Sequence, residues 1–187
     1  MAKVGKNLVT TRLSGKLGDL IVFRTRGTKT YVSTAPEVKE RVPSESQKAH
    51  IKLFQEAIIY GKGAIADPDQ KKAYLEAAVE NQTAFNVAVA DFLNAPQIDE
   101  VDVSMYEGKV GNTIRIRATD DFKVVQVMVA IYTTDSTLVE QGSAKQDRNM
   151  VDWIYTVTED NGDILGDKII IKASDLPGNL TQSEQTI

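Results

Sequence analysis

The apolar residues of this chain change period at Pro96. Before it they recur every three to four residues, and after it every two, so a helical stretch gives way to a β-rich one. Residues 113–118 alternate strictly, with Ile114, Ile116 and Ala118 on one side and Thr113, Arg115 and Arg117 on the other. Residues 123–132 are nearly all apolar, with Val125, Val127, Val129 and Ile131 sharing a face, as a central strand requires. Residues 152–158 group Trp153, Tyr155 and Val157, and residues 168–172 carry three isoleucines. With strands at 98–103, 137–140 and within 180–187, about seven short strands separated by turns predict a β-sandwich over residues 97–187. Trp153 is expected to anchor its core.

Residues 1–96 read as an α+β unit, strands first and then two to three helices. Strands are expected at 7–13 and 19–26, separated by the Gly-bearing turn at 14–18. The second meets a strand at 29–33 across Gly27-Thr28, a loop that suits a type II′ hairpin. That register sets Arg26 opposite Lys29, Arg24 opposite Tyr31 and Phe23 opposite Val32. One face then carries Ile21, Phe23, Thr30 and Val32, and the other Arg24, Arg26, Lys29 and Tyr31.

Ser44 and Gln47 form a capping box ahead of an apolar stripe of Ile51, Leu53, Phe54, Ala57, Ile58 and Tyr60, which is expected to be core. Gly61 and Gly63 are expected to weaken this helix near its end. Asp67 caps a second helix with Pro68 in its first turn and a stripe of Tyr74, Leu75, Ala78 and Val79, with Asn81 as its stop. Thr83 caps a third over residues 84–93.

Composition narrows the chemistry. The 187 residues contain no Cys and one His, which excludes disulfides, thiolate metal sites, a cysteine nucleophile and a His-rich metal centre. A Ser-His-Asp triad could run only through His50, which sits in a helix with no acid-nucleophile pair in evidence, so a structural His is expected there. Gly15-Lys16-Leu17-Gly18 and Gly108-Lys109-Val110-Gly111 lack P-loop spacing and read as turns. The basic start is followed only by Leu8-Val9, short of the 7–15 apolar residues of a secretory signal, and the longest apolar runs are far from the ~20 that span a bilayer. A cytoplasmic protein, with no membrane partner, is the expectation.

The net charge of −4 hides a polarity. Residues 1–62 carry 12 Lys+Arg against 5 Asp+Glu, whereas residues 97–187 carry 8 against 16. Arg24, Arg26, Lys29, Tyr31, Lys48 and Lys52 are the residues through which the basic unit would contact an anion or nucleic acid. The alternative is that this basic surface is a solvated face, or docks on an acidic surface of this chain or a neighbour. For calcium, the oxygen-rich candidates are Asp160, Asn161, Asp163 and Asp167, or Asp99, Asp102, Asp120 and Asp121. Neither set has EF-hand spacing, and Asp160-Asn161-Gly162-Asp163 is first a turn signal, so no metal or other cofactor is assigned.

Two resemblances extend this reading. Ala173, Asp175, Gly178 and Asn179, with a final strand after them and Ala118-Thr119-Asp120-Asp121 before the central strand, resemble the closing part of bacterial immunoglobulin-like repeats. Residues 14–19, the segment from Phe23 to Val32, the helix with Gln47, Phe54 and Ala57, and residues 83–89 resemble small uncharacterised bacterial proteins, some of them prophage-associated. The resemblances imply an immunoglobulin-like sandwich at 97–187 behind the α+β unit at 1–96, and they bring no catalytic or binding residues. The functional expectation is a non-enzymatic structural or protein-interaction module, part of a phage-like or surface assembly, with a protein partner or self-association and no small-molecule substrate. The alternative is a nucleic-acid-binding protein using the basic unit.

Overall fold

The computed structural model describes residues 2–4, 13–26, 29–36 and 42–187. Among them it is a mixed α+β protein, mostly β, with three helices and three four-stranded antiparallel sheets. The contacts group into two compact units, Met1–Ile51 with Val79–Gln82, and Lys52–Ala78 with Thr83–Ile187. The 96/97 boundary read from periodicity thus falls inside the second unit.

The first unit holds a sheet in the order β1-β4-β3-β2, built from β1 (Ala2–Val4), β2 (Gly15–Leu17), β3 (Ile21–Arg26) and β4 (Lys29–Thr34). The hairpin register matches the sequence reading, with Arg26 opposite Lys29, Arg24 opposite Tyr31 and Phe23 opposite Val32. Residues 14–18 depart from it. Gly15–Leu17 is itself a strand paired with β3, and the reversal comes at residues 18–20. Gly18 at φ 59° supplies the left-handed step that lets Leu17 pair with Ile21, and Lys16 Nζ meets Asp19 Oδ1 at 2.6 Å across the turn. Residues 7–12 of the expected first strand and the Gly27-Thr28 loop lie outside the described residues.

Helix α1 (Glu45–Ala66) begins with the expected capping box: Gln47 N donates to Ser44 Oγ at 3.3 Å and Ser44 N to Gln47 Oε1 at 3.0 Å. Its stripe is only half used. Ala57 is buried, but Ile51, Leu53 and Phe54 are 47%, 42% and 45% exposed. Gly61 and Gly63 do not end the helix. Gly61 is buried where α1 approaches α3 (Ala84–Leu93), and a Cβ there would stand 2.8 Å from Val89 Cγ2. In α2 (Pro68–Ala77) Tyr74 alone of the expected stripe is buried, since Leu75 and Val79 face solvent and the helix closes at Ala78. Asp67 Oδ1 accepts from Asp69 N and Gln70 N, and Thr83 Oγ1 from Asn86 N, so both N-caps stand as read.

The second unit joins these helices to two sheets. One runs β5-β6-β10-β9, from β5 (Gln97–Asp102), β6 (Thr113–Thr119), β9 (Lys145–Gln146) and β10 (Asp152–Thr156). The other runs β12-β11-β7-β8, from β7 (Val124–Tyr132), β8 (Leu138–Ser143), β11 (Lys168–Asp175) and β12 (Leu180–Thr186). They share one sandwich-like core: Ile114, Ile116, Ala118, Trp153 and Tyr155 from the first, and Val127, Val129, Ile131, Ile169, Ile171 and Ala173 from the second. Each fully buried Val or Ile contributes about 1.5–3 kcal/mol to the folded state.

At the start of β7 the buried residue is Val124, while Val125 is exposed, contrary to simple alternation. The pairing with β11 shifts between Ser174 and Asp175, and such an irregularity moves one residue to the opposite face. On the sheet's outer side Arg115 and Arg117 lie among Glu100, Asp102 and Asp152, with Arg117 gripping both oxygens of Asp152 at 2.8 and 3.2 Å. A second cluster, Ala64, Tyr74, Ala84 and Ala88, binds the helices together, and Phe122 reaches it with its ring 4.3 Å from that of Tyr74.

Candidate functional site

The basic residues singled out from the sequence occupy two places. On the hairpin, Arg24 and Lys29 are exposed and Tyr31 is half-buried, with Arg24 and Tyr31 directly opposed. Arg26 is opposite Lys29. On α1, Lys48 and Lys52 stand one turn apart, and each faces a carboxylate of its own helix: Glu45 at 2.8 Å and Glu56 at 3.9 Å. Such exposed pairs contribute little to stability, but they reduce the charge the helix offers to a phosphate.

The acidic loops named as calcium candidates are distributed among turns and ion pairs. Asp160 accepts from Val110 N, Asp163 from Leu165 N, and Asp167 from the Asn161 side chain at 2.6 Å. Asp99 takes the Thr119 hydroxyl, and Asp102 takes Ser104 N and Arg115. Asp121 takes the Asn94 amide. Only Asp120 enters a convergent group, and its companions are Asp91 and Asp175. One carboxylate oxygen from each of the three lies within 4.8 Å of the other two.

Each comes from a different element. Ala84, Ala88 and Asp91 are the buried residues of α3, and their spacing sets the aspartate on the inward stripe. Asp120 follows β6 and accepts from Lys123 N through Oδ2 at 3.0 Å. Asp175 ends β11, where its Oδ1 accepts from Gly178 N at 2.8 Å and Asn179 N at 2.6 Å. Gly178 at φ 96° makes that turn possible, as the sequence indicated. The Asn179 amide bonds Asp175 Oδ2 at 2.7 Å and also reaches the carbonyl oxygens of Asp91, Phe92 and Asn94 at 3.2–3.3 Å, closing the last turn of α3.

Asp91 is fully buried. Its Oδ2 accepts the Tyr74 hydroxyl at 2.5 Å. With the Tyr74 proton so directed, the Tyr60 hydroxyl, 2.8 Å away, donates to Tyr74. Burial pushes the Asp91 carboxyl up to about 7, against the lowering effect of the Tyr74 hydrogen bond and with the help of Asp120 and Asp175. Burial raises Asp120 as well. Tyr74 and Tyr60 are both raised, by burial first. Asp91 Oδ1 and Asp120 Oδ1 are buried and accept no hydrogen bond. A buried carboxylate oxygen left in that state is costly unless a proton or a cation attends it. The sequence carried one sign of this group, an aspartate in register with the inward alanines of α3.

Fold and site together define a β-rich α+β protein whose second unit brings α3 and two sheets together at a buried acidic cluster. No family model matches the chain, and no curated protein matches it. One solved structure to which it is similar is that of an engineered protein, at 13% identity and a TM-score of 0.35, covering 58% of this chain and 30% of that one. The chain thus spans under a third of that protein's length. Among the described residues no helix is long and apolar enough to cross a membrane.

Proposed function

We propose that the protein is a non-enzymatic structural or protein-interaction module of a larger assembly, in which residues 97–187 form an immunoglobulin-like sandwich. The observation that carries this reading is the first half of α1. Every residue from Glu45 to Glu56 is exposed, including Ile51, Leu53 and Phe54. A helix that presents contiguous apolar side chains to water is the kind of surface that binds another protein. Residues 15–20, β2 and its turn, are all exposed, and β2 is an edge strand of its sheet among the described residues.

The test is association. Light scattering on the purified protein and a pull-down from the native host, each run on wild type and on Phe54→Glu, should show a larger particle or a retained protein that the substitution removes. A nucleic-acid reading keeps one favourable observation, the opposed Arg24–Tyr31 and Arg26–Lys29 pairs on one hairpin. A mobility shift with short DNA and RNA that weakens steeply with salt supports it, and no binding at low salt removes it.

A further inference from the structure

We propose that Asp91, Asp120 and Asp175 hold a divalent hard cation, and that calcium is the ion that fits. The three carboxylates come from α3, the β6–β7 connection and the end of β11, and one oxygen of each lies within 4.8 Å of the others. Two oxygens bound to one calcium at ~2.4 Å can be no further apart than about 4.8 Å, and the three carboxylates meet that requirement. All the donors are carboxylate oxygens, the chemistry that selects calcium or magnesium over zinc or copper.

The independent sign of a ligand is Asp91 itself. It is 0% exposed, yet its Oδ1 has no hydrogen-bond partner, and Asp120 Oδ1 is in the same state. The donors that surround the cluster are used elsewhere on it: Tyr74 on Asp91 Oδ2, Lys123 N on Asp120 Oδ2, and Gly178 N and the Asn179 backbone and amide on Asp175. No Lys or Arg is ion-paired with any of the three among the described residues. Three acids meeting without a basic partner leave negative charge that a cation neutralises.

Access runs through Asp120. It is half-buried and lines an open groove of about 540 Å³ with Leu93, Asn94, Thr119 and Asp121. Calcium takes six to eight oxygens, so water entering from this groove would complete the shell. Bound there, the ion would join the C-terminal turn of α3 to both sheets.

The experiment uses the full chain, stripped with chelator, titrated with calcium chloride by calorimetry and followed by thermal melting. One calcium per chain is expected, with a melting temperature higher by about 5–10 °C at a hundredfold excess over Kd. Asp120→Asn, at the least buried position of the three, should weaken binding at least tenfold and cut the thermal shift at the same calcium concentration by about half or more. Asp163→Asn, an exposed acid in a different turn, should leave both unchanged. A matching response to magnesium chloride overturns the choice of calcium and keeps the site. No heat and no thermal shift up to about 10 mM calcium, ten times the weakest dissociation constants of calcium modules, overturns the proposal and leaves a shared proton between Asp91 and Asp120 as the explanation. An Asp120→Asn variant that responds to calcium as wild type does overturns it too.

Discussion

Asn179 places its side-chain amide 3.3 Å from the carbonyl oxygen of Asp91, 88 residues earlier in the chain. The same nitrogen reaches Phe92 O at 3.2 Å and Asp175 Oδ2 at 2.7 Å, so one amide closes a helix end and steadies a buried carboxylate. Asn179→Ala removes both and should cost about 1–3 kcal/mol in urea unfolding. Asn179→Asp should cost more, because it adds a fourth carboxylate to a group that already lacks a basic partner. A variant as stable as wild type would mean that water replaces the amide.

Gly61 and Gly63 should respond oppositely to alanine. Gly61 stands where a Cβ would come within 2.8 Å of Val89 Cγ2 and 3.0 Å of Phe85, while nothing lies within 4 Å of Gly63. Alanine gains about 1 kcal/mol over glycine in a helix interior. Gly63→Ala should therefore stabilise by about that amount. At Gly61 overpacking of about 1–3 kcal/mol outweighs the gain, so Gly61→Ala should melt lower. Thermal melts of the two single variants decide this.

The acid limb of stability should depend on Asp152. The Arg117 guanidinium, bonded to both of its oxygens, and the Asn149 amide hold its carboxyl down at about 2. Because the folded value lies below the unfolded one, its stabilising contribution is complete above about pH 4, the ordinary carboxylate range, and is lost as pH falls through about 2. Arg117→Met should therefore be less stable than wild type at pH 7, with the gap narrowing between pH 4 and pH 2. Urea midpoints across that range measure it, and a gap that stays constant would exclude the pair as the cause.

Local signals carried far in this chain because they concern neighbours in sequence. Ser44, Asp67 and Thr83 cap their helices through side-chain oxygens only two or three residues from the amides they accept. The alternation of Ile114, Ile116 and Ala118 is likewise a property of one strand, and it names the buried face correctly. What failed to show depends on partners far along the chain. Ile51 and Phe54 have helical spacing, yet spacing cannot say whether another element covers the stripe. Gly61 reads as a helix breaker until Val89 and Phe85 are seen against it. The acidic cluster draws on residues 91, 120 and 175, and no window of sequence contains them together.

Phe54 is the residue on which the functional account turns, since it is a large aromatic side chain left 45% exposed in the middle of an apolar helical stripe. Substitution by glutamate should leave the circular dichroism spectrum and melting temperature close to those of wild type, because Phe54 belongs to neither buried core cluster. The decisive measurement is the particle mass of wild type and Phe54→Glu by light scattering, paired with a pull-down from the native host. Wild type should run above the single-chain mass or retain a host protein, and Phe54→Glu should do neither. A wild-type protein that is a strict monomer and retains no partner that Phe54→Glu loses would contradict it.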